Sequence, residues 1–235
     1  MRIILSRKGF DSSAGGSPSP ILPDDSMFAM PIPDRRSPYR YGDLAWNDRN
    51  IGELVEGLTR KRVPATYNAH LDPDLRYQTV PRLEGWRPSL GQSGSSQGHL
   101  LKQGVVEGDL FLFWGLFNRV DEQLRPNGPE VHVLWGWMQV DVVANVDRDV
   151  RPHLDAPAWR WAASHVHLVD SRLGDARNTL YVGASDLRLP GLPVRPGLGT
   201  GVFEHFDPMR QLTALNSRGS STWDLPSWSM PNGRP

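Results

Sequence analysis

GDLFLFWGLF, residues 108–117, is apolar on both faces after Asp109. A run of this kind reads as a strand buried within a sheet rather than one with a wet side. EVHVLWGWMQVDVV, residues 130–143, is nearly as apolar, and the polar link RPNGPE at 125–130 joins the two. Together they predict a long hairpin at the centre of a sheet. Gly115 and Gly136 fall inside these strands. A glycine there marks a bulge, or a place where another group approaches the backbone closely. Trp114, Trp135 and Trp137 read as core; stacking on a base is the alternative if one of them lines a cleft.

The rest of the chain is arranged around this hairpin. RIILS at 2–6 lacks alternation and predicts a first, buried strand. The clearest helix is NIGELVEGLTRKR at 50–62: Asn50 can cap it, Glu53 completes a capping box, and Ile51, Leu54, Val55 and Leu58 share a face. Arg60, Lys61 and Arg62 then sit where the helix dipole favours cations, so this basic run needs no nucleic acid to explain it. SQGHLLKQG at 96–104 predicts a short helix, NTLYVGAS at 178–185 a strand, and PAWRWAASHVHLV at 157–169 a helix turning into a strand. LPGLPVRPGLGTG at 189–201 reads as a lid-like loop, and Trp223 and Trp228 in the tail have the character of docking residues. Pro 21, Gly 23 and Trp 9 in 235 residues fit a loop-rich fold with aromatic packing. The expected fold is α+β: a single domain over 1–235 with a strongly curved or barrel-like mixed sheet, few helices, long Pro/Gly-rich loops and a loop-rich tail from about 186.

Composition excludes several function classes. Lys+Arg and Asp+Glu balance at 26 each, so no global field draws the chain to a polyanion, and nucleic acid would need a local patch. Only Lys8, Lys61 and Lys102 are lysines; the arginine excess suits phosphate binding or reflects coding bias. With no Cys, disulfides, thiolate metal sites and Cys nucleophiles are excluded. The opening apolar run is too short for a signal peptide, and no run is long enough to span a membrane. The expectation is a soluble, cytoplasmic protein with no membrane partner.

Four polar motifs carry candidate chemistry. SRKGFDSSAGGSPSP at 6–20 places Arg7, Lys8, Asp11, Ser12 and Ser13 at the end of a strand, ahead of Gly15 and Gly16. Paired cations and glycine-exposed N–H groups suit a phosphate; a polar exit loop would look the same. HLDPDL at 70–75 gathers His70, Asp72 and Asp74. In extended chain alternate residues share a face, so the three can ligate a divalent metal or do acid–base work. Asp-Pro-Asp is also ordinary turn chemistry. GQSGSSQGHL at 91–100 leads glycines and serines into a helix N-terminus that favours an anion. It lacks the ending of a P-loop; Ser95 or Ser96 can serve as caps, and Gln97 and His99 can reach a ligand or face solvent. SHVHL at 164–168 sets His165 and His167 on one face of a strand, as zinc ligands or as a surface pair.

ILSRKGFDSSAGGSPSPILPD, HLDPDL, GQSGSSQGHL, GDLFLFWGLF and HVLWGWMQV occur in this order along most of the chain. In this the sequence resembles the nucleotide modification associated domain 3 family, from residue 3 to about Trp223. The resemblance implies a microbial protein, placed by genomic context among enzymes that modify nucleic-acid bases. It draws attention to Arg7, Lys8, Asp11, Ser12, His70, Asp72, Asp74, Gln92, Gln97 and His99, which lie in the polar motifs, without assigning a reaction. The 108–142 hairpin is also similar in layout to PUA- and ASCH-like β-barrels, which recognise modified bases.

Three functions are compatible with these features. The first is an enzyme acting on a nucleotide or base. Arg7, Lys8, Ser12, Gln92, Ser95 and Gln97 would hold substrate, and Asp11, His70, Asp72, Asp74 and His99 would supply catalysis or, for the HLDPDL residues, a metal site. The second is a non-catalytic PUA-like reader of a modified base or nucleic acid. The third is a structural partner of base-modification enzymes. The enzyme reading requires the motifs at 6–16, 70–74 and 91–99 to converge on one cleft.

Overall fold

The computed structural model of the chain describes residues 1–225. One sheet is built from seven strands: β1 (Ile3–Arg7), β2 (Ser19–Ile21), β3 (Ser89–Gln92), β4 (Leu110–Val120), β5 (Pro126–Asn145), β6 (Thr179–Gly183) and β7 (Thr200–Val202). Their order is β1-β4-β5-β6-β3, with β2 also on β4 and β7 also on β5. β4 and β5 form the antiparallel hairpin that the sequence predicts, with Leu110 opposite Gln139 at one end and Val120 opposite Pro126 at the other. Phe111, Phe113, Phe117, Val133, Trp135 and Met138 from this pair enter one buried cluster. Both interior glycines meet backbone closely. A Cβ on Gly115 would lie 2.6 Å from the Lys8 carbonyl, and one on Gly136 would lie 3.0 Å from the Gly201 carbonyl.

β5 changes partners along its 20 residues. Gly136 to Met138 pair with β7, and Val140 to Asn145 pair with β6. Register shifts at Phe113/Trp114, Asn118/Val120 and Val182/Gly183 add local twist and bend. The curvature brings β1 and Gln92 of β3 into the lining of one cavity, together with Ser96 and His99 of α2 (Gly94–Lys102) and Gln103 at its C-terminal cap. β1 and β3 do not pair. The chain turns into α2 just after β3 ends, so a helix stands where the closing hydrogen bonds would form. The sheet is therefore curved but mostly open, and the barrel-like, PUA-type closure expected from the sequence is absent.

β1 departs from expectation in another way. It alternates exposed and half-buried positions, with Ile3 46% and Leu5 41% exposed. As the outermost strand it has a partner on one side only, so its apolar run is not enclosed. β1 and β2 both lie parallel to β4, Arg7 beside Trp114 and Ser19 beside Phe117. Only Gly115 and Leu116 separate these registers on β4, while residues 8–18 separate them on the other side. The glycine-rich opening loop is thus an excursion from a single sheet edge.

α1 (Ile51–Thr59) starts at Asn50, whose side chain accepts from the N–H groups of Gly52 and Glu53. It ends at Arg60 in a left-handed conformation, so Lys61 and Arg62 lie beyond the helix. Ile51, Leu54 and Val55 pack with Phe10, Tyr41, Trp46 and Leu71 in a second buried cluster. Arg62 donates to the Gly16 carbonyl, which ties α1's exit to the opening loop. Residues 157–169 form 3-10 turns, with one at Arg160–Ser164, and no strand follows. Residues 189–199 are largely exposed, and Trp223 forms a bridge with Thr213. Trp228 lies outside the described residues. Among those residues, no helix is long and apolar enough to cross a membrane.

Candidate active site

A cleft of about 490 Å³ opens beside the excursion loop. Arg7, Lys8 and Asp11 line it from the loop, Asp34 from the segment after Pro31, and His70 and Asp72 from HLDPDL. Gly91, Gln92, Ser93 and Ser96 line it from β3 and the start of α2, and His167 and Arg172 from the turns before β6. No Trp, Tyr or Phe lines it among the described residues. His70 reaches it through the short ladder that pairs Ile32–Pro33 with Ala69–His70.

Asp72 is the hub. Its side chain is 1% exposed and is followed by a cis bond to Pro73. Oδ1 accepts from the Gly91 N–H at 2.5 Å, and His165 Nε2 lies 3.6 Å from the same oxygen. Oδ2 lies 3.3 Å from Lys8 Nζ and 3.8 Å from His70 Nε2. Burial opposes the charge on Asp72, but Lys8, with the surrounding imidazoles, outweighs it and holds the carboxyl down at about 2. Burial pushes His165 down to about 3 and His167 to about 4, so both rings are neutral at pH 7.

Hydrogen-bond partners assign the ring protons. His70 Nδ1 lies 2.9 Å from Asp34 Oδ2. Burial opposes the Asp34 charge as well, yet the His70 bond, the Arg36 N–H and Arg172 hold its carboxyl well below the usual range. An ionised carboxylate only accepts, and Asp34 is closer to Nδ1 than the Arg172 guanidinium at 3.3 Å, so the His70 tautomer with its proton on Nδ1 and a lone pair on Nε2 fits the shorter contact. Asn178 donates Nδ2–H to the His167 carbonyl at 2.9 Å and turns Oδ1 to His167 Nδ1 at 2.8 Å. His167 is therefore also protonated on Nδ1, with its lone pair on Nε2. His165 is the opposite tautomer. Its Nδ1 accepts from the His167 N–H at 3.2 Å, which leaves Nε2–H aimed at Asp72. One ligand atom from each of His70, Asp72 and His167 lies within 4.8 Å of the others. Gly91 makes room: a Cβ there would meet His167 Cδ2 at 2.2 Å.

The structure brings together part of the set that the sequence singled out. Arg7, Lys8, Asp11, His70, Asp72 and Gln92 share the cleft. Asp11 is occupied within its own loop: Oδ1 accepts from Ser13 N–H, Ser13 Oγ–H and Ala14 N–H, each at 2.7 Å, and Oδ2 pairs with Arg7 at 2.7 Å. Asp74 does not join Asp72. It is buried against Arg82, which donates to both its oxygens at 2.5 and 2.6 Å, with Trp86 Nε1 at 3.3 Å. Burial raises the Asp74 carboxyl to about 6 against the pull of Arg82. His99 lines the neighbouring cavity between β1 and α2, which shares Arg7, Gln92 and Ser96 with the cleft. Gln97 is fully buried and accepts from Tyr181 OH at 3.0 Å. Ser95 is exposed on α2 near Arg177, and Ser12 is exposed and does not line the cleft.

Sequence reasoning passed over Asp34, Arg172 and Asn178, and placed His165 and His167 on a strand. Arg172 contacts Asp34 and lies 3.4 Å from Asp175. Asp34 sat in a segment read only as a proline-punctuated loop, and Arg172 in an unremarkable turn. The His-x-His spacing of SHVHL was the available signal for the third histidine.

Fold and site define the class: an α+β protein whose curved, open sheet holds a histidine–aspartate cluster at the floor of a cleft lined by three cations, Arg7, Lys8 and Arg172, and three carboxylates, Asp11, Asp34 and Asp72. A family model described as nucleotide modification associated domain 3 matches residues 2–235, and the chain belongs to that family. No curated protein matches, and no solved structure does. The family description associates the chain with nucleotide modification.

Proposed function

We propose that the protein is an enzyme of a nucleotide-modification system, and that the cleft takes a nucleotide or a nucleotide unit of a nucleic acid. One observation carries this reading: the lone pairs of His70 and His167 and the carboxylate of Asp72 converge at the floor of a cleft walled by Arg7, Lys8 and Arg172. Arg7, Lys8 and Arg172 are each paired with a carboxylate, Asp11, Asp72 and Asp34, and suit a phosphate that shares or displaces those pairs. Ser93 and Ser96, in the first turn of α2, add hydroxyls where a helix N-terminus favours an anion. The volume is in the range of small-molecule sites. Oriented imidazoles beside an ionised carboxylate are equipped to accept a proton from a bound group or to coordinate an electrophile.

A base-reading module is less well supported, because its stacking platform would need an aromatic wall. The aromatic pair beside Arg7, Trp114 against Trp223, packs on the protein itself. The test is mass spectrometry of nucleosides from host DNA and RNA, and of nucleotides incubated with purified protein. The expected result is a mass change that requires His70 and Asp72. If wild-type protein and the His70→Ala variant leave every nucleoside and nucleotide alike, the enzyme reading fails.

A further inference from the structure

We propose that His70 Nε2, His167 Nε2 and Asp72 Oδ2 form a site for one divalent transition-metal ion, with open coordination positions turned to the cleft. The clause about what fills those positions rests on the nucleotide reading above; the site itself does not. Asp74, the third ligand expected from HLDPDL, is committed to Arg82. His167 stands in its place.

Three observations point to an ion. First, each ligand imidazole has its far nitrogen fixed, His70 by the Asp34 carboxylate and His167 by the Asn178 amide. Such partners orient metal-binding histidines and set the lone pair on the ligating nitrogen. Second, two lone pairs and a carboxylate oxygen face one another, and neither Nε2 has a hydrogen-bond donor among the described residues. Three acceptors turned inward repel, and Lys8 contacts only the Asp72 oxygen among them, so an ion shared by all three would relieve the set. Third, His165, with its side chain 2% exposed, aims an Nε2–H that has no hydrogen-bond partner toward Asp72 Oδ1. The Gly91 N–H holds Oδ1 at 2.5 Å with His165 beside it, so Oδ2, which Lys8 approaches at 3.3 Å, is the oxygen offered to the ion.

The donor set selects the metal class. Two neutral imidazoles and one carboxylate suit borderline dications such as zinc, iron(II), cobalt or manganese better than calcium or magnesium, which favour all-oxygen sites. An ion about 2.0–2.2 Å from each atom sets neighbouring ligands about 3–3.5 Å apart. His70 Nε2 and Asp72 Oδ2 are 3.8 Å apart, and one ligand atom from each of the three residues lies within 4.8 Å of the others. Movements of about 1 Å bring the set to those spacings. Three protein ligands leave positions for a water or a phosphate oxygen from the cleft. Lys8 Nζ, 3.3 Å from Asp72 Oδ2, competes for the same oxygen, so removing its charge should tighten the ion.

The experiment is cobalt(II) titration of chelator-treated protein, followed by visible absorption and calorimetry. The expected result is one equivalent with ligand-field bands, about tenfold tighter binding in Lys8→Met, and loss of the bands in folded His70→Ala and His167→Gln. His99→Ala, outside the cluster, keeps them. Bands that persist in both cluster variants place the ion elsewhere and overturn the proposal, as does wild-type protein that shows none. Should the cluster variants fail to fold, imidazole nitrogen NMR of wild-type protein decides. Selective paramagnetic broadening of the Nε2 resonances of His70 and His167 supports the site, and broadening confined to other histidines overturns it. Nucleotide binding measured in chelator separates the two readings. Binding without any cobalt site sinks only the metal, and a cobalt site without nucleotide binding or turnover sinks only the nucleotide reading.

Discussion

His70 Nδ1 donates to Asp34 Oδ2 at 2.9 Å, and the same carboxylate oxygen meets the guanidinium of Arg172. One aspartate thus orients the imidazole at the cleft floor and neutralises an arginine in the wall. Replacing it separates the two duties. Asp34→Asn keeps the shape but removes the charge. The expected effect is a loss of about 10–100-fold in metal affinity or turnover, the range for residues that orient a ligand. Asp34→Ala also leaves Arg172, 5% exposed, with Asp175 alone. A destabilisation of about 3 kcal/mol is expected, as for a broken buried pair. Urea unfolding of both variants checks it; equal stability would mean that Asp175 suffices.

Lys8 and Asp72 form the pair that sets the charge of the floor. Lys8→Met is expected to weaken nucleotide binding about tenfold, the worth of one charge-assisted hydrogen bond. It also removes the charge that does most to hold the Asp72 carboxyl down. With the folded value lowered to about 2, Asp72 contributes stability that is full above its ordinary 3.8 and lost as pH falls through 2. In Lys8→Met that loss should begin at higher pH. Calorimetric melts between pH 3 and 6 test this; superimposable pH profiles for wild type and variant would refute the pairing.

Gly91 gives a steric test of the third histidine. A methyl group there would lie 2.2 Å from His167 Cδ2, inside any tolerable contact. Gly91→Ala is expected to cost about 1–3 kcal/mol through overpacking and to swing the imidazole off its Asn178 partner. Cobalt binding should fall while the distant Trp223 environment stays unchanged. Retained cobalt affinity with an unchanged melt would show that His167 has room the structure denies it.

The hairpin and α1 were legible because their signals are local. Two apolar runs about a polar link can hardly be anything but paired strands, and Asn50 with an apolar stripe specifies a helix start. That HLDPDL and the opening loop could share one cleft was legible as well, and His70 and Asp72 line it with Arg7 and Lys8. Which of its carboxylates faces the cleft was not, because that depends on Arg82, whose pairing with Asp74 has no signature in the spacing. Asp34 and Arg172 escaped for the same reason: they meet across 138 residues, and loop residues have no period to betray the face they use. β1 misled because an apolar run records what is inside only when both neighbours of the strand are present. The open seam followed from α2 starting immediately after β3, and segment-by-segment reading does not see a helix blocking a pairing edge.

The last prediction concerns the tail. Trp223 Nε1 donates to His132 Nδ1 at 2.8 Å, and its ring packs edge-on against Trp114 at 4.7 Å. Burial and then Arg7, whose guanidinium lies over the Trp114 ring, lower the His132 value, with the Ser220 backbone pulling the other way. A neutral imidazole is needed to accept the indole proton. Below its ordinary 6.5, His132 in an undocked tail takes up a proton before the docked one does. The docking free energy is therefore full above pH 6.5 and declines as pH falls through the lowered, folded value. Acidification from pH 7.5 to 5 should red-shift the Trp223 contribution to fluorescence, read as the difference between wild type and Trp223→Phe. A difference spectrum that stays constant across this range would show that His132 does not control the contact.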